Sequence, residues 1–286
     1  MTTSIDNVGV VGAGTMGAGI AQTFAQSGFP VTLVDAFPDA LKRGVEKIRA
    51  GIEKSAKKGL LDAAAAEAAA QRLTPASALD ALAHAALVVE AVPEKVDLKL
   101  DVFRALDGLL PARAILASNT SSISITRLAA ATRRPERSIG MHFMNPVPLM
   151  KLVEVVRGLA TDDATTEAVV DLSKKLGKTP VVVNDYPGFV SNRVLMPMIN
   201  EAVLALMEGV ATKEAIDDVM RLGMNHPMGP LALADLIGLD VCLDILEVLH
   251  RELGDDRYRP CPLLRKQVEA GRLGRKTKRG FYSYPE

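Results

Sequence analysis

The first half of the chain alternates short apolar runs with segments of helical spacing. Apolar runs stand at 8–11, 31–34, 87–92 and 114–117, and each is short enough to be a strand. Their apolar character is almost continuous, which is typical of parallel strands that are covered on both faces. A further run at 181–183 is expected to close the sheet. We therefore predict an α/β domain in which helices alternate with the strands of one sheet.

A different strand pattern stands at 140–157, where two apolar runs flank the proline-bounded loop Asn145–Pro148. An antiparallel hairpin that pivots near Pro148 places His142 opposite Glu154, because paired positions in such a ladder sum to a constant. Glu154 lies inside an apolar run, and a buried carboxylate needs a partner or its pKa rises. The pair is either a structural contact or an acid–base device in which the glutamate fixes the imidazole tautomer. A Glu154 that faces solvent on an edge strand is a further alternative, and the residues alone leave all of these open.

The second half of the chain shows helical spacing and no convincing strand until its last residues. We place the boundary so that an α/β domain spans 1–184 and an all-helical domain spans 185–286. The helices are predicted at 188–208 with a kink at Pro197, at 212–222 capped by Thr212, at 230–251 and at 262–271. The apolar residues of the third helix exceed one narrow stripe, which indicates an interface with another subunit. They include Leu236, Ile237, Val241 and Ile245.

Composition and charge exclude several classes of partner. The 34 basic residues are balanced by 34 acidic ones, so nothing favours nucleic acid or an anionic membrane surface. No apolar stretch is long enough to span a bilayer, and the first residues lack the basic and apolar segments of a signal peptide. Cys242 and Cys261 are too few for a disulfide framework and suggest no metal site. We expect a soluble cytoplasmic protein that uses no metal.

The glycine-rich turn Gly12-Ala13-Gly14-Thr15-Met16-Gly17 follows the first strand and opens a helix, and the second strand ends at Asp35. A lone motif of this spacing is weak evidence, but strand, glycines, helix, strand and terminal acid in this order predict a dinucleotide site. Gly12 makes the tight turn, Gly14 lets the pyrophosphate approach, and Gly17 lets the helix lie close to the strand. Asp35 is expected to bind the adenosine ribose. NADP carries a 2′-phosphate on its adenosine ribose, and Ala36 and Phe37 offer no positive charge to bind it. The sequence therefore favours NAD over NADP as the cofactor.

Residues 38–72 interrupt the alternation of strands and helices. They predict a helical finger, which is a pair of helices that turns near Lys58-Gly59. Between Leu41 and Leu60 the finger carries seven basic residues and two acidic ones. Charged residues along a helix usually only face solvent and bind nothing. A basic finger on a nucleotide-binding domain can also hold a second phosphorylated ligand.

Candidate ligand residues collect where the strands end. Glu94, Asn119 and Ser121 follow two of the predicted strands at their carboxyl ends, which is where parallel sheets bind ligands. A cluster of serine and threonine is by default a turn or a helix cap, and Ser122 or Ser124 is a candidate cap for a helix near 125–131. Asn192 lies about one turn inside the first helix of the second domain, from where it is able to face the sheet.

With these residues in place, the chain resembles the L-3-hydroxyacyl-CoA dehydrogenase family, and most of all its bacterial 3-hydroxybutyryl-CoA dehydrogenases. The resemblance covers nearly the whole chain, although the finger aligns least clearly. It is carried by VGAGTMGAGIAQ, LVVEAVPE, SNTSS, GMHFMNPVPLMKLVEVV, DYPGFVSNRV, HPMGPLALADLIGLD and LGRKTKRGFY.

The resemblance implies a Rossmann-type domain with a helical finger, followed by an all-helical domain that forms a homodimer. It implies NAD-dependent interconversion of (S)-3-hydroxyacyl-CoA, such as 3-hydroxybutyryl-CoA, and 3-oxoacyl-CoA, such as acetoacetyl-CoA. His142 and Glu154 correspond to the family's catalytic pair, and Ser121 and Asn192 to residues that hydrogen-bond the substrate. The positions that match cofactor contacts are Asp35, Glu94, Lys99, Asn119 and Asn145. The finger matches the region that meets CoA, which favours Lys54, Lys57 and Lys58 as phosphate contacts.

Two other functions stay open at the level of the sequence. One is a dehydrogenase of the same fold that acts on a free hydroxy acid or on carnitine. The other is a non-catalytic protein that binds NAD for a structural or redox-sensing purpose. Reduction of acetoacetyl-CoA by NADH separates all three functions.

Overall fold

The structure, a computed structural model, describes residues 5–285 and divides them into two compact units. The division falls between Asp185 and Tyr186, one residue beyond the boundary placed from the sequence. The first unit is built on a sheet and the second is helical, as the sequence pattern predicted.

The first unit holds one sheet, to which the described residues contribute eight strands in the order β3-β2-β1-β4-β5-β6-β7-β8. Neighbouring strands are parallel except β6 and β7, which are antiparallel. The strands are β1 (Val8–Val11), β2 (Val31–Val34), β3 (Leu73–Ala76), β4 (Leu87–Glu90), β5 (Ile115–Ser118), β6 (Ser138–Phe143), β7 (Leu152–Arg157) and β8 (Thr179–Asn184). Because the chain leaves β1 for β2 on one side and reaches β4 on the other, the sheet has a topological switch point between β1 and β4, where such sheets bind ligands.

Helices cover both faces of this sheet. They are α1 (Thr15–Gln26), α2 (Pro38–Lys57), α3 (Ala63–Gln71), α4 (Val96–Leu109), α5 (Ile125–Ala129) and α6 (Asp163–Lys175). On β4, Val89 packs into one core with Ile20 of α1 and Val169 of α6. Its neighbour Val88 packs into the opposite core with Phe103 of α4. Burial of successive side chains on both faces explains why the strands read as continuous apolar runs.

The predicted finger is confirmed as α2 and α3, which are joined by a turn at Gly59 with φ of 70°. Of the two residues predicted to cap α5, Ser124 is the cap, because its Oγ accepts a hydrogen bond of 3.2 Å from the Arg127 N–H. Two elements, β3 and α6, were not predicted from the sequence. Pro75 argues against a strand, yet β3 is an edge strand, where the missing N–H of proline is tolerated.

The second unit contains α7 (Ser191–Met207), α8 (Lys213–Asp218), a π-helical turn at Val219–Gly223, α9 (Pro230–Ile237), α10 (Leu239–Leu253) and α11 (Pro262–Glu269). Thr212 caps α8 as predicted, since its Oγ1 accepts from the Ala215 N–H at 3.3 Å. The single helix predicted at 230–251 is wrong. Gly238, with φ of 110°, ends α9 and starts α10 while the apolar spacing continues across the break.

The apolar residues that predicted an interface have two different environments in this unit. Leu236 and Val241 are 49% and 39% exposed, whereas Ile245 is 9% exposed and packs into the unit's own core.

Pro197 lies inside α7, and the kink expected there stays a prediction. None of the helices formed by residues 5–285 is both long and apolar enough to cross a membrane.

Candidate active site

The glycine turn between β1 and α1 has little room on its inner side and open space on its outer side. Gly12 has φ of 102°, and a Cβ there would lie 2.6 Å from the Ala91 carbonyl oxygen. A Cβ at Gly17 would lie 1.8 Å from the carbonyl oxygen of Gly12, so α1 sits against the turn only because Gly17 has no side chain. A Cβ at Gly14 would meet nothing within 4 Å. Open space beside Gly14 and an α1 N-terminus without a side-chain cap fit the pyrophosphate of a dinucleotide.

The end of β2 is tied to this turn. Asp35 accepts one hydrogen bond from the Ala13 N–H at 2.8 Å and one from the Phe37 N–H at 2.9 Å. Its carboxylate is therefore held beside the turn, where the ribose contact was predicted. Lys47 of the finger donates to Thr15 Oγ1 at 3.3 Å, which brings a positive charge to the turn that the sequence analysis did not single out. Met16 packs against the core beneath the turn.

Glu94, after β4, organises the loop that follows β5. Its Oε1 accepts from Thr120 Oγ1, from the N–H groups of Ser121 and Ser122, and from Ser122 Oγ. Burial would raise the pKa of Glu94, but the charge of Lys99 and the bonds from Thr120 and Ser121 outweigh it and hold that pKa below its usual range. Glu94 and Ser121, two predicted ligand residues, are thus in direct contact.

Lys99 is buried between two carboxylates. Its side chain is 1% exposed, and Nζ lies 2.7 Å from Glu90 Oε1 and 3.2 Å from Glu94 Oε2. The predicted cofactor contact is not tested by these distances, but they show that Lys99 bridges two carboxylates. Glu90, which is 0% exposed, was missed by the sequence analysis. The signal available was a glutamate inside the apolar run Leu87–Val92.

The hairpin of β6 and β7 has the predicted register, with His142 opposite Glu154. His142 Nδ1 lies 2.8 Å from Glu154 Oε2, and the two residues are 8% and 2% exposed. Asn119 Oδ1 accepts from the Phe143 N–H at 2.9 Å, which joins the end of β6 to the loop after β5. The carboxyl ends of β4, β5 and β6 lie at one edge of the sheet, so Glu94, Ser121 and His142 are collected there.

The loop between β6 and β7 is anchored from two sides. Val147 packs against α1 at Gly19, where a Cβ would lie 3.0 Å from the Val147 Cβ. Lys178, 8% exposed, donates from Nζ to the carbonyl oxygens of Val147 and Met150. Burial lowers the pKa of the Lys178 ammonium. Asn145 precedes a cis bond to Pro146 and is exposed on this loop.

The remaining predicted residues lie elsewhere. Asn192 belongs to the second unit, in the first turn of α7, and is 8% exposed. Lys54, Lys57 and Lys58 are exposed at the end of α2, and Lys57 pairs with Glu53 at 2.7 Å. That pair holds the pKa of Glu53 below its usual range.

Within residues 5–285 no group of three or more histidine, cysteine or acidic side chains is arranged to hold a metal.

Comparison with known proteins identifies the family. The model of the 3-hydroxyacyl-CoA dehydrogenase NAD-binding domain matches residues 7–186, and that of the 3-hydroxyacyl-CoA dehydrogenase C-terminal domain matches residues 188–284. The chain is 56% identical over 282 residues to a protein of Bacillus subtilis (strain 168) named probable 3-hydroxybutyryl-CoA dehydrogenase, covering 99% of this chain and 98% of that one.

Two further relatives extend the comparison. A crystal structure of (S)-3-hydroxybutyryl-CoA dehydrogenase from Ralstonia eutropha has a TM-score of 0.96 and 52% identity, covering 99% of this chain and 100% of that one. A 3-hydroxyadipyl-CoA dehydrogenase of Escherichia coli (strain K12) is 42% identical over 285 residues, covering 99% of this chain and 60% of that protein. The chain thus belongs to the 3-hydroxyacyl-CoA dehydrogenase family and is an oxidoreductase with NAD as its cofactor.

Proposed function

We propose that the protein interconverts (S)-3-hydroxybutyryl-CoA and acetoacetyl-CoA, with His142 and Glu154 as its acid–base pair. The observation that carries this proposal is the buried contact of 2.8 Å between His142 Nδ1 and Glu154 Oε2 at the carboxyl edge of the sheet. The names of the Bacillus and Ralstonia relatives supply the substrate.

The pair divides the chemistry between its two members. Because Glu154 engages Nδ1, proton exchange with the substrate is assigned to Nε2 of His142. In the oxidative direction His142 takes the proton of the 3-hydroxyl group, and Glu154 stabilises the imidazolium that forms. Bound NAD+ would supply the acceptor for the hydride on C3. In the reductive direction the imidazolium returns its proton to the oxygen of the ketone.

Other residues hold the substrate and cofactor. Ser121 and Asn192 hydrogen-bond the reacting oxygen and the thioester. Asp35, Glu94, Asn119 and Asn145 contact the cofactor, and Lys99 acts through Glu94, because its ammonium already bridges Glu90 and Glu94. Lys54, Lys57 and Lys58 attract the phosphates of CoA. The helical unit forms a homodimer through apolar residues such as Leu236 and Val241, and a cytoplasmic location stays a prediction.

The test follows the absorbance of NADH during reduction of acetoacetyl-CoA. We expect rapid loss of absorbance with acetoacetyl-CoA and slow loss with free acetoacetate at the same concentration. Equal rates would contradict the CoA assignment and favour a dehydrogenase of free acids. Binding of NADH without turnover of either compound would favour a non-catalytic protein.

A longer or dicarboxylic acyl chain is the second candidate substrate, and the Escherichia coli relative named for 3-hydroxyadipyl-CoA favours it. The same assay with 3-oxoadipyl-CoA compares the two. A higher kcat/KM for 3-oxoadipyl-CoA than for acetoacetyl-CoA would replace the short substrate in this proposal.

A further inference from the structure

Glu90 is an ionisable residue in the middle of the sheet, at the last position of β4. Its carboxylate is 0% exposed, and burial of a charge is costly unless partners replace water. Three groups do so. The Val92 N–H donates to Oε1 at 2.7 Å, Lys99 Nζ lies 2.7 Å from Oε1, and Ser118 Oγ donates to Oε2 at 2.6 Å.

Two separate routes lead from Glu90 to the loop that carries Ser121. Along the first, Ser118 Oγ donates to Glu90 and accepts from the Thr120 N–H at 3.1 Å. Along the second, Lys99 connects Glu90 to Glu94, and Glu94 Oε1 accepts from the Ser121 N–H at 3.0 Å. The loop is therefore held through its backbone N–H groups by a network whose inner members, Glu90, Lys99 and Ser118, are buried and whose outer member, Glu94, is partly exposed.

Lys99 has no spare donor in this network. An ammonium group offers three protons, and Nζ of Lys99 has three acceptors: Glu90 Oε1, Glu94 Oε2 and the Val92 carbonyl oxygen. Two carboxylates share this one cation. Loss of the charge on Glu90 would remove one of the two anions that hold Lys99 in place, and Lys99 in turn holds Glu94, the residue on which the loop depends.

We propose that Glu90 is a positioning residue, which fixes the loop Thr120–Ser122 through Ser118 and Lys99 and so sets the place of Ser121. The proposal rests on the function proposed above in giving Ser121 a role toward the substrate. Asp107 of α4 is a matched comparison, since its carboxylate is also buried in an ion pair, 2.8 Å from Arg134. Its hydrogen bonds go to Arg133 and Arg134, and none of them runs to the loop.

The first test measures hydrogen exchange at backbone amides and requires no turnover. In Glu90→Gln, which keeps the shape and removes the charge, we expect exchange at Ser121 and Ser122 to accelerate about tenfold or more. Amides of α6 should change much less. Asp107→Asn should leave the loop Thr120–Ser122 as protected as in the parent.

Ser118→Ala supplies a second variant, because it cuts only the hydroxyl route. It should accelerate exchange in the same loop by a smaller factor, and it serves in place of Glu90→Gln if that variant does not fold. Unchanged exchange in the loop, or an equal increase throughout the unit, would overturn the proposal and leave Glu90 as a structural ion pair.

The second test is a double-mutant cycle with Ser121→Ala, read as kcat/KM for acetoacetyl-CoA. Glu90→Gln should lower kcat/KM roughly tenfold in the parent but less than about threefold when Ser121 is already alanine. If the loss in the double variant equals the product of the losses in the two single variants, Glu90 does not act through Ser121. If the parent itself fails to reduce acetoacetyl-CoA, the proposed function fails, while the exchange experiment still decides the role of Glu90.

Discussion

Two glutamates, Glu90 on β4 and Glu154 on β7, occupy similar places in the sheet. Each stands in an apolar run, each is almost fully buried, with exposures of 0% and 2%, and each contacts one nitrogen-bearing side chain. The partners differ, since Glu90 pairs with Lys99 and Glu154 with His142. Lysine keeps its proton at neutral pH, whereas histidine exchanges one readily. Burial is common to both carboxylates and does not by itself separate them. Because their partners differ, the proposals above give Glu90 the role of holding a loop and Glu154 the role of assisting proton transfer.

The largest expected effect comes from Glu154→Gln. The variant should fold and bind NADH, but kcat for acetoacetyl-CoA should fall by about three to four orders of magnitude, because the imidazolium loses its counter-charge. Steady-state kinetics with a parallel NADH titration measure both quantities. Glu90→Gln, with its much smaller loss, is the matched control, and equal losses in the two variants would break the distinction between them.

The next effect concerns stability. Lys99→Met leaves Glu90 buried without its cation, so the free energy of unfolding should fall by about 3–5 kcal/mol. Urea denaturation followed by circular dichroism measures it. Adding Glu90→Gln to Lys99→Met should restore part of the loss. Lys57→Met, which breaks the exposed pair with Glu53, should have no measurable effect on unfolding. A loss of the same size in both lysine variants would contradict a buried ion pair.

A smaller effect is the pH dependence of Glu94. Its pKa lies below the ordinary value in the folded protein, so its ionised form stabilises the fold above the ordinary pKa. The contribution is lost as pH falls through the folded pKa. The difference in unfolding free energy between the parent and Glu94→Gln should therefore shrink on acidification from pH 7 to about pH 3. A difference that grows on acidification would mean that burial, which raises the pKa, dominates over Lys99.

The smallest effect is expected from the exposed lysines of the finger, because solvent weakens each contact with a phosphate. Replacing Lys54, Lys57 and Lys58 together by alanine should raise the KM for acetoacetyl-CoA several-fold and leave NADH binding unchanged. The rise corresponds to a loss of about 1 kcal/mol in the binding free energy of CoA. A pantetheine thioester, which lacks the phosphates of CoA, is the control substrate. Equal effects on both substrates would indicate a change in folding. No effect on either substrate would mean that the three lysines only face solvent and do not contact CoA.

Features that depend on short stretches of sequence were predictable. The glycine turn is local, and its residues have the steric roles that the motif implies, as Gly12 and Gly17 show. The contact of His142 with Glu154 was predictable because a hairpin fixes its own register once the pivot is known. The caps Ser124 and Thr212 each act on the helix that immediately follows.

Features that depend on distant parts of the chain were not predictable. The bond between Ser118 and Glu90 joins two strands, and Lys178 reaches across the fold to Val147. Nothing near these residues in the sequence reports such contacts. β3 was missed because its edge position, which accommodates Pro75, depends on the whole sheet. The break at Gly238 was missed because apolar spacing continues on both sides of it.

The central claim is that His142 and Glu154 act as one unit in proton transfer. Its most direct test is the single-turnover rate of NADH oxidation by acetoacetyl-CoA in His142→Gln, in Glu154→Gln and in the double variant. If the glutamate acts only through the histidine, the double variant is no slower than His142→Gln alone. A double variant slowed by the product of the two single losses would contradict the claim, because the two residues would then contribute independently.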